Sequence, residues 1–591
     1  MSHNETTTLT HHAMLVAWGQ FAQCIDLIAQ IEAVPLHQKT VAHTPNRKVL
    51  ELFVAILGGL AYLKDISLSA HPLDQDQAVA QAWEQAGWAD HSGVSRALSA
   101  LTMDEAQQIV SVLTAVSRPF IEQEVMLAVR DQGQVVYDGD LTGRPVSNSS
   151  TTYPNVGYGH MSDGVQLGYQ AAMVSFHSPT YGRQWLSVVP HPGSTVACTQ
   201  AEAMVRAAEA KTGVRPMRCT DLLGQRLAQA KAERQRWETK VTQAEQAVAQ
   251  AQSALQETTQ KLHDWQAEMA QYEAAYRERQ RPERPYSRLA QARAKVDVYQ
   301  RRQSRREKQL AKAKAYLQRQ QAHLDQCQLQ VQELACRLTQ LEQENATNPA
   351  PLRAVFRLDA GFGTPQNVAL LVEMGYEVYI KPYGSWLKEG LKRQVHAATI
   401  WTQVGHNAEM TAWAAMAVKD LPYPLDVALE RFYTGDTQRF SVLLHYGRDR
   451  VTVDLPGWFH TYNGRQTIEA GIKEGKQVFQ MHHLKVRSEA ALFLQEHLAA
   501  FAANFVRWAA LWLTTQCPQG PQGWQEETLP GVKTQVQVMA HTSAYVEWHE
   551  QGCLLRFTDH SVFASRSLYV SRQWAYQLVL PLFKSCVFSP I

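Results

Sequence analysis

Between about Leu222 and Glu344 the chain carries two long runs of heptad-spaced residues separated by prolines. In the first run Trp237, Val241, Ala244, Val248, Ala251, Leu255, Thr258, Leu262, Trp265, Met269, Tyr272 and Tyr276 follow one another at alternating steps of four and three. An α-helix returns a residue to the same side at those steps, so the run is the a/d seam of a coiled coil. The segment RQRPERPYS then interposes Pro282 and Pro285, and proline is excluded from a helix interior by its ring and its missing N–H. A second seam starts at Leu289, Ala292, Val296, Tyr299 and Gln303 and ends at Leu334, Leu338 and Leu341. Two helices joined in this way fold back on each other, so an antiparallel hairpin is expected over 222–347. At about 1.5 Å per residue each arm is roughly 70–80 Å long. Its ends must meet, which makes it an insertion into whatever the flanking segments build.

The remainder is ample for a packed core. The chain has 591 residues, 45% of them hydrophobic, which excludes a disordered protein. Apolar runs such as Val49–Tyr62 are broken by charge or glycine, and MSHNETTTLTHH has no basic patch leading into an apolar core. A cytoplasmic protein without membrane contact is therefore expected. The eight cysteines form no C-x-x-C pair, so they read as reduced, mostly buried thiols. The net charge of +2 conceals an asymmetry: Arg277–Arg319 holds 15 Lys and Arg against four acids, which leaves about −9 for the rest. A charge run of this kind is commonly a solvated helix face. It is also what a segment tracking a phosphate backbone requires, and Arg301, Arg302, Arg305 and Arg306 are the candidates for DNA contact. The polar seam positions Gln303 and Gln320 are expected to set register.

Five regions follow: a helical N-terminal region (1–130), expected to bind DNA; the first part of an α/β core (131–221); the hairpin (222–347); the second part of the core (348–515), with a β insertion at about 385–460; and a C-terminal region (516–591) without an assigned role. QVVYDGDLTG, QLGYQAAMVSF and RQWLSVVPHPG read as three consecutive strands, LRAVFRLDAGFG and YEVYIKPY as two more, and PQNVALLVEMG as the helix between these last two. QVQVMAHT and CLLRFTDHSVF read as C-terminal strands.

Three acidic positions stand out. Asp138 and Asp140 lie at the end of an apolar strand and share a face by the two-residue period. Asp359 ends the strand Val355-Phe356-Arg357-Leu358. Ligands of α/β sheets gather at such strand ends, although an aspartate there is also an ordinary turn residue. In TYNGRQTIEAGIKEGK, Tyr462, Arg465, Glu469 and Lys476 are separated by three, four and seven residues, which on one helix gives a single stripe with a phenol, a guanidinium, a carboxylate and an ammonium. Such a stripe suits a phosphate and a metal ion, or a solvated salt-bridged face.

Tyr462-x2-Arg465-x3-Glu469-x6-Lys476, with Asp140-Leu-Thr142 upstream and a second aspartate in RLDAGF, resembles the Y-R-E-K signature of bacterial insertion-sequence DDE transposases. The resemblance covers about 80–220 and 350–515 and leaves the hairpin unaccounted for. It implies a ribonuclease-H-like α/β core in which Asp140, Asp359 and Glu469 bind two Mg²⁺ ions, with Mn²⁺ able to substitute. It further implies that Tyr462, Arg465 and Lys476 hold the DNA phosphate, and that the site cuts double-stranded DNA at transposon ends and joins the freed 3′-OH to target DNA. A homodimer is expected in the DNA complex, and Trp386, Trp401 and Trp458 are the aromatic candidates for a flipped-out base. Asp140 is preferred over Asp138 because Thr142 matches the family context. Two alternatives remain open at this level: a domesticated nuclease that does not join strands, and an inactive DNA-binding or scaffold protein that works through the hairpin.

Overall fold

The computed structural model describes residues 7–572, apart from 40–41, 162–163, 280–283, 436, 482, 484–485, 517–530 and 562–566. The chain divides into two compact units: Met1–Met217 with Ala350–Ile591, and Arg218–Pro349.

The second unit is a pair of helices, Thr220–Glu278 and Arg288–Ala346. Each has 59 residues, which makes an arm about 88 Å long at about 1.5 Å per residue. That exceeds the expected length because at the open end the helices run beyond the clear seam residues, the first beginning at Thr220, well before Trp237. Leu223, Leu227, Ala230, Val331, Leu334 and Leu341 form the apolar base of the seam. Towards the turn Trp237 stacks on His323 at 4.7 Å, Gln303 donates to Thr259, and Arg293 pairs with Glu273 at 2.8 Å. These pairs step in opposite directions along the two helices, which establishes the antiparallel register. Gln320 is buried in the seam. At the open end, Arg218 pairs with Glu344 at 2.7 Å and its amide donates to the Asn345 side chain at 2.8 Å, so the two ends meet. Pro282 lies outside the described residues; Ser287 caps the second helix by accepting from the Ala290 amide.

In the first unit the strands, numbered along the chain, are β1 (Thr7–Thr10), β2 (Val135–Pro145), β3 (Gly157–Met161), β4 (Gly164–Phe176), β5 (Gln184–Pro192), β6 (Ala354–Leu358), β7 (Glu377–Ile380), β8 (Thr402–Gly405), β9 (Ala408–Met416), β10 (Leu425–Thr434), β11 (Thr437–Tyr446), β12 (Ala544–His549), β13 (Gly552–Phe557) and β14 (Ser567–Ser571). The large sheet is mixed, with the order β3-β4-β2-β6-β7-β11-β10-β9-β8 and β5 beside β4. β2, β6 and β7 are parallel neighbours, and β4 and β5 are antiparallel. The expected antiparallel β insertion is therefore no separate element. β11 pairs with β7 through Tyr379 and His445, and the sheet continues across it. β3 escaped the sequence reading because its GYGHM has two glycines and no β-branched residue.

The N-terminal helices are not a separate body either. Those spanning Ala13–Cys24, Pro45–Leu57 and Met103–Gln132 share one apolar cluster with the helix Glu489–Gln516. Phe120 stacks on Trp508 with ring centroids 4.2 Å apart, and Phe21 and Phe53 both pack on Phe505. Thr102 and Glu105 form a reciprocal capping box at the start of Met103–Gln132. The buried pair Arg144–Glu496, at 3.0 Å, ties β2 to Glu489–Gln516.

β12, β13 and β14 form a second sheet with β1. The expected strand in QVQVMAHT is instead a short helix, Val532–Gln537, followed by a helical turn. There Val536 and Ala540 pack into the main apolar cluster, and this tertiary burial overrides the alternating pattern. The thiols are less buried than expected: of the described cysteines Cys553 alone is buried, and Cys336 is exposed. Among the described residues no helix is long and apolar enough to cross a membrane.

Candidate active site

Apolar residues carry β2 into the middle of the sheet, with Val135, Val136 and Tyr137 all buried. Beyond them the strand delivers two aspartates on one face, and the structure separates their roles. Asp138 is fully buried and receives two hydrogen bonds from Arg357, at 2.6 and 2.7 Å. Arg357 also donates to the Thr461 carbonyl. Asp138 is thus a neutralised structural group, whereas Asp140, two residues on, lines an open cleft of about 860 Å³.

Asp359, Glu469 and Lys476 line the same cleft. Asp359 follows the last residue of β6 and accepts from the Gly361 amide at 2.9 Å, which fixes its turn. Glu469 and Lys476 come from the helix Gln466–Gln477. The four signature residues do not share one helix as expected. Tyr462 lies in the last turn of the helix Leu455–Asn463, and Arg465 immediately precedes the next helix. Asn463-Gly464 breaks the run, and a side chain at Gly464 would collide with the Arg357 guanidinium. Gly471 and Gly475 continue that close approach, the first under Arg183 and the second under Met481. Arg183 also donates to the Thr467 carbonyl, which secures this helix from below.

Arg465 is the hub. It reaches Glu469 at 2.5 Å and Asp140 at 3.4 Å. Burial works against its charge, but Tyr462, Asp140, Glu469 and Asp359 outweigh it and hold the guanidinium above its ordinary pKa. Tyr462 is buried among Val136, Val355, Tyr379 and Trp458, and its phenol is pushed up to about 12 by that burial despite Arg465 beside it. Asp140 is pushed up to about 6, first by burial and then by Asp359 and Glu469, with Arg465 acting in the opposite sense.

Two groups near the site had no role in the sequence reading. Lys381 directly follows β7, with its ammonium 5.3 Å from the centre of the Tyr462 ring. Burial lowers its pKa, while Glu430, Glu469 and Asp359 pull it back. Glu430 in turn is raised by burial. The signal was present, since Lys381 ends a parallel strand just as Asp359 does. The second group is the wall formed by β3, where Gly159 lies so close to the Gly193 carbonyl that any side chain at 159 would overlap it. Tyr158, on that wall, is 58% exposed.

Of the three tryptophans, Trp458 is a core residue, Trp401 is covered by Arg431 at 4.0 Å, and Trp386 is 46% exposed. Arg301, Arg302, Arg305 and Arg306 are all exposed on the second helix of the hairpin.

The carboxylates of Asp140, Asp359 and Glu469 are hard oxygen donors, which suit Mg²⁺ in kind. Their mutual repulsion, visible in the raised Asp140, is what a cation relieves. As the side chains lie, Arg465 supplies that relief, and among the described residues no three His, Cys, Asp or Glu side chains are gathered closely enough to hold an ion. The donor set therefore fits the metal in chemistry, and Arg465 is the cation nearest to it. In comparisons with known proteins, no family model matches the chain and no curated protein matches it.

Proposed function

We propose that the protein is a DDE transposase: a metal-dependent enzyme that cuts DNA strands at transposon ends and transfers the freed 3′-OH into target DNA. The observation that carries this reading is the meeting of Asp140, Asp359, Glu469 and Lys476 in one cleft, from two neighbouring parallel strands and a later helix. The order of the first five core strands supports a ribonuclease-H-like core. β2, β4 and β5 form an antiparallel meander, while β6 and β7 add in parallel on the other side of β2.

Asp140, Asp359 and Glu469 are the residues that would hold Mg²⁺. The chemistry such ions would supply there is Lewis-acid stabilisation of an attacking and a leaving oxygen. The protein's own groups do the rest. Lys476 and Arg465 present positive charge to a phosphodiester in the cleft, the first as a point charge and the second as a planar fork. Tyr462 is too buried to take the expected place on the DNA backbone; it acts by holding Arg465. Lys381 adds charge from beneath.

The test is Mg²⁺-dependent cleavage of DNA carrying the sequences that flank the gene, with wild type beside Glu469→Gln. Cutting by the wild type alone, with binding retained in both, supports the reading. Binding without cutting by either, in Mg²⁺ and in Mn²⁺, rejects it and favours a scaffold that works through the hairpin.

A further inference from the structure

The basic half of the hairpin is more ordered than its composition requires. The seam of the second helix passes through Val296, Tyr299, Gln303, Leu310 and Ala313. Continuing its steps of four and three places Arg306 on the seam line and Arg302 beside it. Arg301, Arg305, Lys308, Lys312 and Arg319 then follow one another at steps of four, three, four and seven on the opposite side. All five are exposed. Among the described residues none of the five has an ion-pair partner. The facing stretch of the first helix, bracketed by the Trp237–His323 and Thr259–Gln303 contacts, cannot neutralise them. Residues 241–261 carry only Glu245 and Glu257 against Lys261.

We propose that this stripe is a sequence-independent binding surface for duplex DNA, seated on the hairpin and sharing no residue with the candidate active site. It deepens the transposase reading but does not require that the cleft be active. Arg301 to Arg319 spans about 27 Å of helix, the axial rise of about eight base pairs, so the partner is a polymer of phosphates and not a small anion. The apolar side of the helix is consumed by the seam, which leaves no apolar face to enter a bilayer. The stripe's own positions carry no aromatic residue, and the neighbouring Tyr316 is a single exposed ring, which is no platform for successive unpaired bases. Five cations on one straight line suit the backbone of a rigid duplex, whose phosphate contacts carry no sequence information.

The test uses the full chain and a 30-base-pair duplex of arbitrary sequence, without divalent metal so that no strand is cut. One variant changes Arg301, Arg305, Lys308 and Lys312 to Gln. A second removes the same charge from the other helix, at Lys231, Arg236, Lys240 and Lys261, all of them exposed. The stripe variant is expected to lose more than about tenfold in affinity at 0.1 M salt, and its slope of log K against log salt should fall by roughly 3–4. The second variant should lose far less. Equal losses would reduce the effect to net charge and overturn the proposal, as would unchanged binding by the stripe variant. Tighter wild-type binding to single-stranded DNA or duplex RNA of the same sequence would also overturn it. Because cleavage is not read, an inactive cleft leaves this result intact.

Discussion

Arg357 grips Asp138 with two hydrogen bonds of 2.6 and 2.7 Å, and this pair decides which of two neighbouring aspartates faces the cleft. Both point to the same side of β2, but Asp138 is spent on a cation inside the sheet while Asp140 reaches the open site. Asp138→Asn strands a buried guanidinium, and losing one partner of such a pair costs about 3–5 kcal/mol. Asp140→Asn removes a carboxylate whose ionisation is already resisted by its surroundings, so stability should hold or rise while cleavage is lost. Thermal unfolding beside cleavage assays on both variants separates the two roles. Equal destabilisation by both would refute the assignment.

The helix bearing Glu469 rests on glycine. A methyl group at Gly471 runs into the Arg183 guanidinium, which also bonds the Thr467 carbonyl. Gly471→Ala should lower stability by about 1–3 kcal/mol, the usual cost of overpacking, and reduce cleavage more than DNA affinity because Glu469 moves with its helix. Pairing it with Arg183→Ala should recover part of the stability. No recovery would mean that the collision is not the cause.

If the cleft is the proposed active site, Tyr462 serves it through Arg465. Tyr462→Phe keeps the buried ring and removes the hydroxyl that faces the guanidinium. A hydrogen bond to a charged group contributes about 1.5–3 kcal/mol, so the rate at saturating DNA should fall roughly ten- to a hundredfold with little change in KM. A KM effect alone would instead place Tyr462 on the DNA.

Glu51 is a pH-sensitive point far from the cleft in sequence. It is fully buried, and its carboxyl accepts from the Ala89 amide at 3.0 Å. Burial pushes its pKa up to about 8, with the Ala89 bond opposing. The folded state therefore holds this proton more tightly than the unfolded chain. The stabilising contribution is complete below the ordinary glutamate range and is lost as pH rises towards 8. Glu51→Gln should remove that decline and stabilise the protein at pH 8 by on the order of 4 kcal/mol. Chemical denaturation at pH 5 and pH 8 measures it, and an unchanged pH dependence would count against the assignment.

Much of the architecture was legible because it depends on local repetition. The heptad steps from Trp237 to Tyr276 and from Leu289 to Leu341 announce two helices wherever they occur, and the prolines between them announce the turn. The apolar runs of β2 and β6, each ending in aspartate, were equally plain. β3 was not, because its place depends on glycines that let two backbones touch. Val532–Gln537 misled for the opposite reason, its alternating pattern being overruled by what lies beneath it.

The sequence by itself determined the hairpin, the strand-borne acids and the spacing from Tyr462 to Lys476, since periodicity and turn chemistry act over a few residues. Only the tertiary structure decided that Asp138 is neutralised, that Tyr462 is buried, that Lys381 joins the site, and that the N-terminal helices share a core with Glu489–Gln516. Those outcomes depend on which distant groups compete for the same charge or the same buried volume. Residues 138 and 357 meet only because β2 and β6 lie side by side, and no local pattern encodes that pairing.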